Sequence, residues 1–249
     1  MRPRALALAL LLATLAPACN QNEGPQEGAP PGARTVHFES ADGVRLEGKL
    51  FGREGSETGV VLSHMFPADQ SSWFDFAGTL ADRGYLALAY DFRGYCPGGE
   101  AGCSQGSKDF ASLPQDVLGA ISFIRDQGVG KVALIGASMG GTASIVAASQ
   151  DRSDVDAVIT LSAPPAFEGM SAGRSELQRV FAPKLFIAAV GDASAAQSAQ
   201  AFYDQSPQPK RLEILPADDH GTDLLSGNQA GRVQTLILDY LAQFGGEEA

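Results

Sequence analysis

Short apolar runs recur along the chain, and stretches with the hydrophobic spacing of amphipathic helices separate them. The apolar runs have the length of buried strands and lie at residues 60–63, 85–90, 132–135, 157–161, 185–190 and 211–215. The helical stretches lie at residues 71–82, 114–126, 142–150, 195–203 and 229–244. Strands that alternate with helices pair in parallel and are covered by helices on both faces. The pattern therefore predicts an α/β fold with a mostly parallel sheet.

Two further segments near the start of this region alternate polar and apolar residues with a period of two. They cover residues 34–38 and 44–51 and flank Ala41-Asp42-Gly43, a turn signal. We expect them to form an N-terminal antiparallel hairpin, so that one domain covers residues 34–249.

The first 33 residues differ in composition from the predicted domain. Arg2 and Arg4 precede an apolar run at residues 5–15, which is too short to cross a bilayer and is typical of a secretory signal peptide. The sequence Leu15-Ala16-Pro17-Ala18-Cys19 is similar to a bacterial lipobox, in which the cysteine is lipidated. Residues 20–33 are rich in Pro, Gly, Gln and Glu and lack aromatic and β-branched side chains, as in disordered segments.

We therefore expect a signal peptide over residues 1–18, followed by a lipidated Cys19 and a disordered tether over residues 19–33. This places the protein in the bacterial cell envelope, held to the membrane only through the lipid. Simple export to the periplasm or the medium, with cleavage after a small residue, is the alternative.

Charge and composition exclude several classes of function. The formal net charge of −11 argues against a nucleic-acid partner. No pair of His or Cys has zinc-ligand spacing, and no glycine-rich loop ends in the Lys-Ser/Thr of a phosphate site. We therefore expect neither a metal nor an organic cofactor.

The motif Gly-X-Ser-X-Gly occurs around Ser104, Ser138 and Ser171, so the motif alone selects no residue. Only Ser138 directly follows a predicted strand and precedes a predicted helix. In this context a sharp turn holds the hydroxyl out at the edge of the sheet, as in a nucleophile elbow. Ser138 is the candidate nucleophile; a structural serine in a glycine-lined turn is the alternative.

From Arg34 onward the chain resembles a small α/β-hydrolase of the lidless, dienelactone-hydrolase-like branch. The resemblance rests on His64-Met65-Phe66 after a strand, Trp73, Asp91-Phe92-Arg93-Gly94, residues 136–141, Asp192, and His220-Gly221 before the last helix. It implies an α/β-hydrolase fold without a large cap and a serine hydrolase activity. The segment 164–182 has room for a flap or a single helix, which favours small or accessible substrates.

A serine nucleophile needs a base, and the base needs an orienting acid. Of the three histidines, His37 lies in the hairpin and His64 ends a strand, where the resemblance implies a structural role. This leaves His220, which follows the last strand, as the base.

Four aspartates compete for the role of the acid, namely Asp192, Asp218, Asp219 and Asp223. We prefer Asp192 because it follows a strand and gives the chain order Ser, Asp, His that this fold uses.

The oxyanion of an acyl transfer needs two backbone N–H donors. One is expected from Met139, directly after the nucleophile. The resemblance implies Phe66 as the second donor, with Met65 as the alternative because it stands where the family usually has glycine. The side chains of Phe66, Phe167, Met139 and Met170 are candidates for an apolar pocket wall or for ordinary core.

Cys96 and Cys103 bracket Pro97-Gly98-Gly99 and, in an exported protein, suggest a local disulfide, with two free thiols as the alternative. Together these features predict a serine hydrolase that cleaves a small-molecule carboxylic ester through an acyl-enzyme. A thioesterase or peptidase with the same residues, and a non-catalytic binding lipoprotein that keeps the fold, are the alternatives.

Overall fold

The computed structural model describes residue 30 and residues 32–95, 103–150 and 155–245. The strands are β1 (Ala33–Glu39), β2 (Arg45–Phe51), β3 (Thr58–Ser63), β4 (Leu86–Tyr90), β5 (Lys131–Ala137), β6 (Ala157–Leu161), β7 (Ala166–Phe167), β8 (Met170–Ser171), β9 (Lys184–Ala189) and β10 (Lys210–Leu215). The helices are α1 (Phe74–Asp82), α2 (Leu113–Asp126), α3 (Met139–Gln150), α4 (Arg174–Leu177), α5 (Ala193–Gln205) and α6 (Ala230–Gly245). Single 3₁₀ turns cover Gln70–Trp73, Phe110–Ser112 and Gly221–Leu225.

Eight of these strands form one sheet in the order β1-β2-β4-β3-β5-β6-β9-β10. β2 pairs antiparallel with β1 on one side and with β4 on the other, and all other neighbouring strands are parallel. Since β1 runs in the same direction as β4, its first residue, Ala33, lies at the amino-terminal end of the parallel strands. This topology confirms the predicted α/β-hydrolase fold, including the N-terminal hairpin.

The apolar residues of the sheet build one core on each face, because successive side chains of a strand point to opposite sides. In β4, Leu86 and Leu88 join the core under α2, α3 and α5, whereas Ala87 and Ala89 join the core under α1 and α6. Strands buried on both faces read as continuous apolar runs in the sequence. This is why the inner strands were recognisable from their composition.

A buried arginine joins the N-terminal hairpin to the sheet and to α2. The Arg93 guanidinium donates from Nε and Nη2 to Asp116 Oδ1 at 2.8 and 2.6 Å, and from Nη1 to Asp42 Oδ2 at 2.9 Å. Its hydrogen bonds hold the pKa of Asp42, in the turn between β1 and β2, at about 2. The turn predicted at Ala41-Asp42-Gly43 is therefore anchored by a charge network as well as by its glycine.

The structure and the sequence pattern differ at a few element boundaries. The helix after Ser138 begins at Met139 and not at residue 142, because the carbonyl of Ser138 already accepts hydrogen bonds from the N–H of Gly141 and Thr142. The segment 164–182 forms the small hairpin β7–β8 and the one-turn helix α4. It is a short flap of mixed structure, where the sequence left open a flap or a single helix.

Residues 1–29 and Cys96 lie outside the described residues. The signal peptide, the lipidation of Cys19, the tether and the Cys96–Cys103 disulfide therefore stay predictions. Within the ranges that the structure describes, no helix is both long and apolar enough to cross a membrane.

Candidate active site

Ser138 lies in a strained turn between β5 and α3, at the carboxyl edge of the sheet. Its φ angle is +47°, in the left-handed region that serine rarely adopts. Its N–H donates to the carbonyl of Leu161 at the end of β6 (2.8 Å), and its carbonyl accepts from the first turn of α3. Strained backbone of this kind persists where the surrounding hydrogen bonds fix it. The sharp turn from strand to helix that the sequence predicts is thus present at Ser138.

The flanking glycines are needed because strand, turn and helix approach each other closely. A Cβ on Gly136 would collide with the carbonyl of Gly140, and a Cβ on Gly140 would collide with the carbonyl of Ser63 at the end of β3. The second contact also places the turn after β3 directly against the beginning of α3.

Asp192 and His220 meet across the ends of β9 and β10. The distance from Asp192 Oδ2 to His220 Nδ1 is 2.5 Å. The other carboxylate oxygen, Oδ1, accepts from the N–H of Ala195 (3.3 Å) and the hydroxyl of Ser194 (3.2 Å) in the first turn of α5. A helix N-terminus favours a negative charge. The carboxylate is therefore held by α5 with one oxygen while the other contacts the imidazole.

Gly221 brings the histidine loop onto the elbow. It has a φ of +57°, and a Cβ at this position would lie 2.5 Å from Met65 Sδ and 3.6 Å from the Cβ of Ala137. The residue after His220 thus packs against the residue before Ser138. His220 is 45% exposed and Asp192 is 14% exposed, so the base faces the open side of the site and the acid lies behind it.

The other three aspartates do not contact the imidazole. The carboxylate of Asp218 lies against the backbone of Gly191, and that of Asp219 lies against Gly227. Asp223 belongs to the 3₁₀ turn and donates its N–H to the carbonyl of His220 at 3.1 Å. Of the four candidates, the structure brings only Asp192 together with the histidine ring.

The two remaining histidines have structural surroundings. His64 is fully buried: its Nδ1 lies 2.9 Å from the carbonyl of Met65, and its Nε2 accepts from the N–H of Phe92 at 3.2 Å. Burial lowers the pKa of His64 to about 4, so the ring is neutral at physiological pH and donates from Nδ1. His37 lies on β1, and its Nε2 is 3.4 Å from a carboxylate oxygen of Glu47.

The two competing Gly-X-Ser-X-Gly serines are also placed by the structure. The buried hydroxyl of Ser104 donates to the carbonyl of Asp91 (2.5 Å) and accepts from the N–H of Glu47 (2.9 Å), so both bonds tie a loop to the sheet. Ser171 lies on β8 in an exposed hairpin. Neither serine lies in a turn from a strand into a helix.

Met139 and Phe66 supply backbone N–H groups on either side of the contact between α3 and the turn after β3. Among the described residues, no group accepts a hydrogen bond from either N–H. The turn is fixed at both ends by the residues that follow β4. Phe92 donates to His64 at one end, and the Asp91 carboxylate accepts from the N–H (2.9 Å) and Nε2 (2.7 Å) of Gln70 at the other.

Three phenylalanine rings form a cluster beside this turn. Phe66 contacts Phe110 (5.7 Å between ring centres) and Phe167 (6.1 Å), and Phe110 contacts Phe167 (5.3 Å). Phe66 is 46% exposed, so the cluster has an open side, whereas the side chains of Met139 and Met170 are buried in the core. Phe110 was not recognised from the sequence, because it lies outside every motif and periodic segment.

The part of the chain that the structure describes contains no cluster of His, Cys, Asp or Glu that could hold a metal ion. The groups at the candidate site are a serine hydroxyl, an imidazole, a carboxylate and backbone N–H groups, which are groups of acid–base and nucleophilic chemistry.

Comparisons with known proteins agree with this fold. A search of curated protein sequences finds no relative of this chain. Among solved structures, an esterase from Pyrococcus furiosus is similar over 90% of this chain and 100% of its own, with 16% identity and a TM-score of 0.73. A dienelactone hydrolase from Anabaena variabilis is similar over 86% of this chain and 99% of its own, with 22% identity and a TM-score of 0.69. The family model of the alpha/beta hydrolase fold matches residues 59–239, more than half of the sequence. The chain therefore belongs to the α/β-hydrolase family.

Proposed function

We propose that the protein is a serine hydrolase that cleaves carboxylic esters through an acyl-enzyme, with Ser138, His220 and Asp192 as the triad. The observation that carries the proposal is the 2.5 Å contact of His220 with Asp192 on a loop that packs against the strained turn of Ser138. Two supporting features are the N–H groups of Met139 and Phe66, which have no acceptor among the described residues and suit an oxyanion hole.

Each residue has a defined step in this mechanism. Ser138 Oγ attacks the ester carbonyl while His220 Nε2 takes the hydroxyl proton, and Asp192 holds the Nδ1–H and stabilises the imidazolium. The negative oxygen of the tetrahedral intermediate accepts hydrogen bonds from Met139 and Phe66. Collapse breaks the ester bond, and His220 returns the proton to the leaving alcohol. Water, deprotonated by His220, then attacks the acyl-enzyme and releases the acid and free Ser138.

Carboxylic esters are placed ahead of thioesters and peptides because the solved structures similar to this chain include esterases, as in Pyrococcus furiosus and in a Rhodothermus marinus protein. The small size of the β7–β8 flap favours small or accessible esters. A screen of matched esters, thioesters and peptides on the purified protein ranks the three classes directly.

A fluorophosphonate probe tests the nucleophile, because only an activated serine reacts readily with it. We expect stoichiometric labelling of the wild-type protein and none of the Ser138→Ala variant. Ser171→Ala, which changes another Gly-X-Ser-X-Gly serine, serves as the control and labels like the wild type. Labelling that survives Ser138→Ala contradicts the assignment of Ser138 and places the nucleophile at another serine. A wild-type protein that does not label contradicts the proposal and favours a non-catalytic binding protein.

We further propose that Cys19 carries the lipid that holds the protein at the cell envelope and that Cys96 and Cys103 form a disulfide. Inhibition of lipoprotein signal peptidase should leave a larger precursor, and intact mass should give a lipidated Cys19 as the first residue. Peptide mapping without reductant should find Cys96 and Cys103 in one bridged fragment. A mature protein that starts elsewhere, or two separately alkylated thiols, would refute the respective assignment.

A further inference from the structure

The rings of the phenylalanine cluster, Phe66, Phe110 and Phe167, have no role in the chemistry proposed above, which uses only the backbone N–H of Phe66. Phe66 meets Phe110 at an interplanar angle of 87°, and Phe110 meets Phe167 at 81°. These are edge-to-face contacts, the arrangement in which aromatic rings attract each other beyond simple burial. The open side of the cluster, where Phe66 is 46% exposed, leaves ring faces and edges without an aromatic partner among the described residues.

The cluster lies beside the first turn of α3, because two of its elements pack there and the third packs against one of them. Phe66 belongs to the turn whose neighbouring carbonyls touch Gly140 in the first turn of α3. Phe167 belongs to the β7–β8 hairpin, which follows directly on a segment held to α3 by the hydrogen bond from Thr142 Oγ1 to the carbonyl of Pro164 (2.7 Å). Phe110 opens the 3₁₀ turn Phe110–Ser112, against which the hairpin packs.

The hairpin that carries Phe167 is held in one conformation. Its turn has left-handed φ angles at Glu168 (+38°) and Gly169 (+93°), and the N–H of Ala172 donates to the carbonyl of Pro165 at 2.9 Å. A Cβ on Gly169 would lie 3.2 Å from the Cβ of Ala111, so the turn is pressed against the neighbouring 3₁₀ turn. The rings are thus positioned before a substrate arrives, which reduces the entropy lost on binding.

We propose that the phenylalanine cluster binds the aryl group of an ester whose carbonyl is attacked by Ser138, so that Phe110 and Phe167 determine a preference for aryl-bearing esters. This inference rests on the proposed serine hydrolase. Phe66 connects the two functions, since its backbone N–H is an oxyanion donor and its ring is part of the binding surface. A substrate ring on the open side completes the edge-to-face packing that the three protein rings begin.

Two pairs of esters test the inference and show which side of the ester carries the ring. Benzyl acetate is compared with cyclohexylmethyl acetate for the alcohol side, and ethyl phenylacetate with ethyl cyclohexylacetate for the acyl side. In each pair the ring size is similar and only the aromatic character differs. For the side that the cluster binds, we expect wild-type kcat/KM to favour the aryl ester by about 3- to 10-fold.

Phe110→Leu and Phe167→Leu, which lie on different elements, should each reduce this preference to nearly equal rates, with a larger loss of kcat/KM for the aryl ester than for ethyl acetate. Phe244→Leu, on α6 at the other face of the sheet, is the matched control and should keep the wild-type preference. Melting temperatures identify any variant that does not fold. If one of the two leucine variants fails to fold, the other one tests the inference.

Three results would overturn the inference. The first is an equal kcat/KM of the wild type for aryl and cyclohexyl esters. The second is a fall of kcat/KM in both variants that is as large for ethyl acetate as for the aryl ester. In either case ester cleavage itself still supports the proposed function. The third result, no cleavage of any ester together with no fluorophosphonate labelling, defeats the proposed function and this inference with it.

Discussion

From the contact between Asp192 and His220 we predict that the Asp192 carboxylate orients the proposed base. Asp192→Asn keeps the hydrogen bonds to the first turn of α5 but can no longer accept the Nδ1–H as a carboxylate. We expect kcat/KM for an ester to fall by up to ~10⁴-fold, the effect of the same change in a serine protease triad, with an unchanged melting temperature. Asp219→Asn, whose carboxylate lies against Gly227 and not against the ring, should change kcat/KM only a few-fold. If Asp192→Asn keeps near-normal activity while Asp219→Asn is inactive, the prediction is wrong and Asp219 is the acid that orients His220.

Single residues also show where sequence reasoning ends. The position of Ser138 could be predicted because it directly follows a strand, and that of His220 because it lies in the loop after the last strand. Asp192 could be predicted because it follows a third strand and gives the chain order Ser, Asp, His. Phe110 could not, because its partners Phe66 and Phe167 are distant in the sequence and no spacing links them. The pairing of Gln70 with Asp91 was missed for the same reason, since a buried hydrogen bond leaves no periodic signal.

The turn between β3 and α1 is held by a buried carboxylate, and this has a measurable effect on stability. Burial raises the pKa of Asp91 from 3.8 to about 6, against the opposing hydrogen bonds from Gln70. The folded state therefore retains a proton that the unfolded chain releases, and the free energy of unfolding falls as the pH rises from about 4 to 6. Above this range the ionised carboxylate lowers the free energy of unfolding by about 3 kcal/mol.

Asp91→Asn removes this titration. Urea unfolding should show the variant to be more stable than the wild type at pH 8, by up to about 3 kcal/mol, and similar to it at pH 4. Within the described residues Gln70 Oε1 is buried without a partner, and the new amide can donate to it when the Gln70 side-chain amide turns over. Asp82→Asn, on the exposed end of α1, is the control and should follow the wild type at both values of pH. A constant difference between Asp91→Asn and the wild type across this range would contradict the assignment.

Elements with a clear hydrophobic period were predicted to within a few residues, and those without one were not. The strands and long helices follow from their apolar spacing, because the two cores on the faces of the sheet impose it. The segment 164–182 has no sustained period, and its hairpin depends on the left-handed turn at Glu168 and Gly169. Such a turn is fixed by packing against the 3₁₀ turn Phe110–Ser112, which the local sequence does not reveal.

In the part of the molecule that the structure describes, the candidate site is open. We therefore expect the rate to saturate with substrate concentration in the same way for dissolved and for emulsified substrates. In the described part of the segment between Ser138 and Asp192, the elements other than α3, β6 and β9 are the hairpin β7–β8 and the one-turn helix α4. These are too small to enclose a substrate. With tributyrin as substrate, we expect the rate to saturate below the solubility limit and not to rise when an emulsion forms. A sharp rise at that limit would indicate a lid that opens at an interface.

The direction of β1 affects which way the sheet edge with Ser138 faces when the N-terminus is attached to a surface. Ala33 pairs with Phe51, which pairs with Ala87 near the start of β4, whereas Ser138 follows the last residue of β5 at the other end of the sheet. An attachment upstream of β1 would join the domain at the end of the sheet opposite Ser138, which favours orientations with the serine away from that surface. The enzyme would then sample molecules arriving by diffusion from the surrounding fluid, and not the lipids to which it is tied.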